Sequence, residues 1–199
     1  PWYEEIFRAP SPPLGGSQML FFLKPELMRS PRLSLVAEIV THALSRHGLA
    51  VESAAAMSGP YLDRHGLVAG HYGVIDAVTR DPATALSQQA RDRFRELYGH
   101  DADARVVGGL AYLERHPELD AEALARKWLA RGADKLGGGT YCQELKDEGC
   151  FLINGFYPRM LRHFTAPAAR IVVLVLRGDT PWAAARRSFP GSPRTRPAP

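Results

Sequence analysis

The sequence Met19-Leu20-Phe21-Phe22-Leu23-Lys24-Pro25 decides the fold. A short, continuous apolar run that stops abruptly is typical of a central strand, buried on both faces of a sheet. Proline has no backbone N–H to donate to a sheet ladder, so the strand is expected to end at Lys24. We therefore predict a strand whose carboxyl end carries a cation.

Two further strands and two helices are predicted around this strand. Residues 33–47 carry an apolar stripe at helical spacing, and Gly48 follows as a helix stop. Residues 49–57 return as a second strand, and the apolar run 171–176 is the clearest strand in the chain. The sequence Asp179-Thr180-Pro181 begins a last helix through about Phe189, because Asp caps a helix and Pro suits its first position.

The segment before the third strand is expected to be mostly helical. The Gly-rich stretch Gly137-Gly138-Gly139 is predicted to be a flexible loop; such backbone can also cradle an anion, but the P-loop signature is absent. Predicted helices cover residues 60–78 in pieces, 82–98, 102–115, 120–131 and 151–164.

The order of elements defines the expected fold class once residues 80–150 are set aside as a helical insertion. Strand, helix, strand, helical region, strand and helix make up most of a ferredoxin-like βαββαβ split fold with an antiparallel sheet, in the α+β class. The expected organisation is an N-terminal arm and linker, a discontinuous core, the insertion and a disordered tail. Their ranges are 1–17, 18–79 with 151–190, 80–150 and 191–199.

Composition limits the classes of protein to consider. The net charge is +4 and hydrophobic residues make up 45% of the 199, a globular balance that suits anionic partners. No apolar run approaches the roughly 20 residues of a membrane span, and the N-terminus lacks signal-peptide features. We expect a cytoplasmic protein with no membrane or nucleic-acid partner, since basic and aromatic residues do not interleave. Cys142 and Cys150 predict ordinary reduced thiols rather than a disulfide framework or a metal site.

Two short segments resemble the nucleoside diphosphate kinase superfamily. Phe21-Phe22-Leu23-Lys24-Pro25 resembles that family's strand-to-loop segment, which ends in Ile-Lys-Pro. His71-Tyr72 is similar to the His-Tyr pair that follows the family's second strand and a helix. The resemblance implies that Lys24 touches the transferred phosphate, and that Tyr72 orients this lysine and the catalytic histidine.

A third segment extends the resemblance toward the end of the chain. The apolar strand ends at Gly178, an arginine follows eight residues later at Arg186, and Ser192 comes shortly after, as a threonine does in the family. By resemblance, Arg186 and Ser192 would hold the β-phosphate of a nucleotide. Phe156 or Tyr157 lies near the family's aromatic residue that stacks on the base. The matching segments together cover roughly half of the chain.

These residue types suit phosphoryl transfer. The moving group carries charge on three equatorial oxygens, which cations stabilise in the transition state. A lysine supplies a compact charge and an arginine a bidentate fork. The expected substrate is a nucleoside di- or triphosphate, and Mg²⁺ arrives with its phosphates. An aromatic ring stacks on any base, which suits a broad range of nucleotides.

One departure from the family concerns its nucleophile. The family's catalytic histidine lies in an Asn-x-x-His-x-Ser-like segment near the final strand, and these 199 residues contain no such segment. Three alternatives remain open: the protein continues beyond Pro199, it is inactive, or another residue carries the chemistry. His71 is the first candidate for such a nucleophile or general base.

The sequence therefore supports a leading hypothesis and two alternatives. The leading hypothesis is a nucleotide phosphotransferase with Lys24, Tyr72 and His71 in catalytic roles, assembled as a homo-oligomer as is usual in the family. The first alternative is an inactive nucleotide-binding or regulatory module. The second is a specialised enzyme that acts on a nucleotide by other chemistry, with residues 80–150 shaping the pocket.

Overall fold

The computed structural model describes residues 1–10, 16–102 and 105–179, and the chain divides into two compact units. The first unit is formed by Pro1–Arg64 together with Ala166–Pro199, and the second by His65–Thr165. Each unit combines helices with a four-stranded sheet that contains antiparallel strands. This confirms the predicted α+β class.

The helices and strands are named here in chain order. The strands are β1 (Tyr3–Arg8), β2 (Ser17–Leu23), β3 (Ala50–Ser58), β4 (Val106–Gly108), β5 (Asp134–Gly137), β6 (Thr140–Leu145), β7 (Cys150–Ile153) and β8 (Arg170–Gly178). The α-helices are α1 (Pro25–Met28), α2 (Leu33–Arg46), α3 (Gly59–Arg64), α4 (Leu67–His71), α5 (Gly73–Arg80), α6 (Pro82–Ala85), α7 (Gln88–Tyr98), α8 (Gly109–Arg115), α9 (Ala121–Leu129) and α10 (Tyr157–Thr165).

The first unit contains a sheet in the order β1-β3-β8-β2, and all three pairs of neighbours are antiparallel. Strands β2 and β3 therefore run parallel to each other, with β8 between them and α2 in the connection. The strands and the helix predicted from the apolar runs at 19–23, 33–47, 49–57 and 171–176 are confirmed.

Two strands of this sheet differ from their predictions. Strand β2 was expected to be central, but within the described residues it is an edge strand, and Leu20 is 56% exposed. The N-terminal arm, for which no strand was predicted, forms β1 on the outer edge of β3. All six residues of β1 are exposed, so the period-2 burial pattern that reveals a strand is missing there.

Helix α2 covers one face of this sheet. Leu44 on α2 and Leu49 after it pack with Met19 of β2 and Leu176 of β8 in one buried cluster. Successive side chains of a strand point to opposite faces, so Met19 faces this cluster while Leu20 does not. The cluster holds the connection between β2 and β3 over β8.

The second unit is inserted where a hairpin turn would otherwise join β3 to β8. Ser58, the last residue of β3, pairs with Arg170, the first residue of β8. Beyond this pair, the Gly59 N–H donates to the Ala169 carbonyl at 2.8 Å. The chain thus leaves and re-enters the first unit at neighbouring backbone positions.

The second unit contains a sheet in the order β4-β7-β6-β5. Strands β4 and β7 are parallel, whereas β5, β6 and β7 are antiparallel neighbours. The core has one cluster around Phe94, Phe151 and Ile153 and another around Leu124 and Leu152. A Cβ atom added at Gly108 would lie 2.1 Å from the Thr79 carbonyl oxygen, so only glycine fits where α5 meets the end of β4.

The predicted helical insertion is therefore a mixed α/β structure, which corrects that part of the prediction. Segment 80–150 contains three strands besides its helices, and the predicted helix 151–164 is β7 followed by α10. The Gly-rich loop is the turn of the β5–β6 hairpin, since Gly137 pairs with Thr140. These strands have three to six residues, too few for a clear alternating pattern.

A half-buried ion pair links three strands of the first unit. Arg177 of β8 donates from Nε to Glu52 of β3 at 2.7 Å, and Gln18 of β2 donates to the same carboxylate at 2.9 Å. The Arg177 guanidinium, then the Gln18 amide, lower the pKa of Glu52 from its ordinary value of 4.5. The ionised form of Glu52 is therefore favoured by folding.

We predict that the Glu52→Gln variant has a lower free energy of unfolding than the parent at about pH 6. This difference should become smaller as the pH is lowered. Because the folded-state pKa is lowered, the unfolded chain takes up the proton first. The contribution is present above pH 4.5 and is lost as the pH falls through the lowered value. Urea unfolding at a series of pH values measures it.

Glu4→Gln is the matched control for this test. Glu4 is an exposed strand residue that forms no ion pair within residues 1–10, 16–102 and 105–179. Removal of the Glu4 charge should leave the free energy of unfolding at about pH 6 unchanged within about 0.5 kcal/mol. Equal unfolding of Glu52→Gln and the parent at about pH 6 would contradict the proposed contribution of Glu52.

Candidate functional site

Lys24 stands at the carboxyl end of β2, as predicted. Its backbone is extended, and its carbonyl accepts the N–H of Leu27 at 3.0 Å and of Met28 at 3.3 Å. Pro25 takes the first position of α1 and is buried, while Lys24 is exposed. The strand end and this short helix therefore present the Lys24 ammonium group to solvent.

The pair His71-Tyr72 lies where α4 gives way to α5. His71 is the last residue of α4, and Tyr72 occupies the cap position of both helices. The two rings meet edge to face, with centroids 4.7 Å apart and an interplanar angle of 86°. Tyr72 also packs against Phe164 of α10 at 6.3 Å. Both rings of the pair thus belong to the packed surface of the second unit.

Tyr157 is the first residue of α10 and Phe156 directly precedes it, but the two rings have different surroundings. Tyr157 is fully buried, and its hydroxyl donates to Asp76 Oδ1 at 2.9 Å. Phe156 is half-buried and lies 6.0 Å from Trp128 and 6.2 Å from Tyr141. Phe156 is thus the one of the two rings with surface open for stacking on a base.

A carboxylate that sequence reasoning missed connects these segments. Asp76 of α5 accepts the Tyr157 hydroxyl and also the Nε of Arg80 at 2.7 Å. Burial, followed by the hydrogen bond to Asp76, raises the pKa of Tyr157, so the phenol stays protonated as the donor. The i, i+4 spacing of Asp76 and Arg80 on a helix indicates their ion pair. Nothing local indicates the bond to Tyr157, which lies far along the chain.

A second missed residue, Asn154, clamps the Gly-rich turn. Its Oδ1 accepts the N–H of Tyr141 at 2.9 Å, and its Nδ2 donates to the Gly139 carbonyl at 3.0 Å. Asn154 is fully buried and has φ of +50°, the left-handed region. Its own carbonyl accepts the N–H of Tyr157 at 2.9 Å. One residue thus joins the β5–β6 turn, through its side chain, to the start of α10, through its backbone carbonyl.

The predicted site residues are divided between the two units. Lys24 belongs to the first unit, and His71, Tyr72, Phe156 and Tyr157 belong to the second. Within the second unit, two contacts connect the His71-Tyr72 segment with α10. Tyr157 donates to Asp76, four residues after Tyr72, and Phe164 packs against the Tyr72 ring. Four predictions for the end of the chain lie outside the described residues: Arg186, Ser192, the tail 191–199 and, beyond Asp179, the last helix.

Cys142 and Cys150 are the two thiols that could act as nucleophiles or metal ligands. Burial raises the pKa of Cys142 to about 12, and burial followed by Glu148 raises that of Cys150. Neither cysteine forms a disulfide in this structure, and the raised pKa values favour the protonated thiol at neutral pH. Across the described ranges, no three His, Cys, Asp or Glu side chains are grouped as a metal site.

Comparison with known proteins adds no assignment. No family model, no curated protein and no solved structure matches this chain. None of the helices in the described part of the chain is long and apolar enough to cross a membrane. Any function must therefore be argued from the residues and their geometry.

We predict that Asn154→Ala lowers the free energy of unfolding by about 2 to 4 kcal/mol. It removes two buried hydrogen bonds and leaves a Cβ-bearing residue without local hydrogen bonds in the left-handed region. Asn154→Gly is the matched variant, since it removes the same bonds without the backbone strain. It should be less destabilising than alanine by about 1 kcal/mol. Urea unfolding compares the two variants with the parent.

The two variants separate the causes of the effect. Equal destabilisation by alanine and glycine would show that the backbone conformation is unimportant. A parent-like Asn154→Gly would show that the two side-chain hydrogen bonds contribute nothing. Only a parent-like Asn154→Gly would overturn the role of Asn154 as a clamp, since equal destabilisation would remove the backbone contribution alone.

Proposed function

We propose that the protein is a nucleotide phosphotransferase of the nucleoside diphosphate kinase type. The observation that carries the proposal is the position of Lys24 at the carboxyl end of β2, in a sheet where β8 lies between β2 and β3. This arrangement of β2, α2, β3 and β8 fits three strands of a ferredoxin-like sheet. In the superfamily that the sequence resembles, the lysine at this strand end contacts the transferred phosphate.

Lys24 would act as a cation beside the phosphates. Its ammonium group would stabilise the negative charge that spreads over the oxygens of the moving phosphoryl group. Mg²⁺ would enter as part of the nucleotide substrate, bound to its phosphates. Arg186 and Ser192 remain the proposed contacts of the β-phosphate.

The resemblance also implicates residues of the second unit. Tyr72 would orient the reacting groups, and Phe156 is the aromatic ring with surface available for a base. In a transfer through phosphohistidine, the histidine attacks the γ-phosphorus and the nucleoside diphosphate leaves. A second nucleoside diphosphate then takes the phosphoryl group on a terminal oxygen. His71 is the candidate nucleophile within the described residues.

The alternative functions rest on the missing histidine segment. A nucleotide-binding or regulatory module would keep the Lys24 contact and bind nucleotides without transferring phosphate. A specialised enzyme would consume some other nucleotide without exchange between diphosphates and triphosphates. Solubility, a homo-oligomeric state and a cytoplasmic location are compatible with all three proposals.

We predict that Lys24→Ala reduces phosphotransfer by about 100-fold or more, because one charged contact of the transition state is lost. The protein is incubated with Mg²⁺, ATP and a mixture of nucleoside diphosphates. New triphosphates are then separated by chromatography and counted. Lys135→Ala is the matched control, since Lys135 is an exposed lysine on β5 with no ion pair in the described part of the chain.

The possible outcomes separate the proposed functions. Loss of transfer in Lys24→Ala but not in Lys135→Ala supports the phosphotransferase, and His71→Asn then tests the nucleophile. Parent-like transfer in Lys24→Ala would refute the role of Lys24. Nucleotide binding that depends on Lys24, without any new triphosphate from the parent, would support the binding module instead.

A further inference from the structure

Helix α10 makes two contacts, from one of its faces, with the segment that runs from Tyr72 to Asp76. Tyr157, in its first turn, donates its hydroxyl to Asp76 at 2.9 Å. Phe164, near its end, packs against the ring of Tyr72 at 6.3 Å with an angle of 59°. Residues seven positions apart lie on the same face of a helix, so both contacts come from one face of α10.

The residues that receive these contacts are also close together in the chain. Tyr72 is the N-cap of α5 and Asp76 lies four positions further on, with its N–H donating to the Tyr72 carbonyl at 2.9 Å, so the two residues are one helical turn apart. Two contacts separated along both helices restrict the rotation of α10 as well as its sliding. A ring contact alone tolerates many orientations, whereas a hydrogen bond from a buried phenol is directional. The Tyr157–Asp76 bond is therefore the contact that sets the geometry.

The Asp76 carboxylate accepts three hydrogen bonds. Besides the Tyr157 hydroxyl it accepts two bonds from Arg80, at 2.7 Å from Nε and at 3.3 Å from Nη2. Its side chain is 13% exposed. Its oxygens are thus occupied by three donors, so Asp76 is suited to hold its neighbours rather than to take a proton from a substrate.

We propose that Asp76 is a positioning residue: through Tyr157 it determines where Tyr72, and the His71 ring at its edge, lie against α10. The proposed effect of Asp76 on the positions of Tyr72 and His71 is argued from these contacts alone. The kinetic consequence rests on the proposed function, in which this pair takes part in phosphoryl transfer. Displacement of reacting groups by about 1 Å can lower turnover by about 100-fold.

The positional part is tested by aromatic carbon–proton NMR spectra of His71 and Tyr72. Tyr157→Phe removes the donor but keeps the ring volume, and Asp76→Ala removes the acceptor. Asp76→Asn keeps an acceptor oxygen for Tyr157. We expect the His71 and Tyr72 signals to move in the first two variants and to stay near their parent positions in Asp76→Asn.

Tyr141→Phe is the control for loss of a phenolic hydroxyl, because the Tyr141 hydroxyl makes no hydrogen bond to the residues that the structure describes. Its His71 signals should match those of the parent. Unmoved His71 and Tyr72 signals in Tyr157→Phe would overturn the proposal, even if that variant melts at a lower temperature. Tyr157→Phe decides the test if Asp76→Ala fails to fold.

The kinetic consequence is measured with the phosphotransfer assay. We expect Tyr157→Phe to lower kcat by about 10- to 100-fold, with KM changed less than about twofold, because it displaces reacting groups without removing a binding contact. A change in KM alone would contradict a positioning role. If the parent transfers no phosphate, the proposed function fails, and the NMR comparison still decides the positional part.

Discussion

Strand β8 forms backbone hydrogen bonds with β2 on one side and with β3 on the other, and the first unit cannot form its sheet without them. This strand comes after the whole second unit in the chain. The pairing of β2 with β8 therefore closes a very long loop, which is slow to form but costs only slightly more entropy than a loop of moderate length. The Glu52–Arg177 ion pair joins the two distant parts of the chain at the same place.

The position of the inserted unit makes this long connection possible. Antiparallel neighbours such as β3 and β8 are ordinarily joined by a short turn. Here the Gly59–Ala169 hydrogen bond joins the two backbone positions at which the chain leaves and re-enters the first unit. The second unit has its own buried clusters around Phe151 and Leu152. It can therefore fold without drawing on the apolar residues of the first unit, as tolerated domain insertions do.

The sequence predicted those elements whose signals are local. The apolar runs at 19–23 and 171–176 and the helical stripe at 33–47 gave correct strands and a correct helix. Strand β1 was missed because all its side chains are exposed, and β4 to β6 because they are too short for a periodic pattern. In the candidate site, the Asp76–Tyr157 bond joins residues 81 positions apart. Only the folded chain could show it, since neither residue is unusual in its local sequence.

Tyr157, Asp76 and the two cysteines of the second unit are poorly suited to act as bases or nucleophiles. Tyr157 is protonated and committed to Asp76, and Asp76 is committed to Arg80, so neither is available as a base. Both cysteine pKa values are raised, which leaves no thiolate nucleophile at neutral pH. Under the phosphotransferase proposal, these groups leave His71 as the candidate nucleophile of this unit, with Tyr157 and Asp76 in a positioning role.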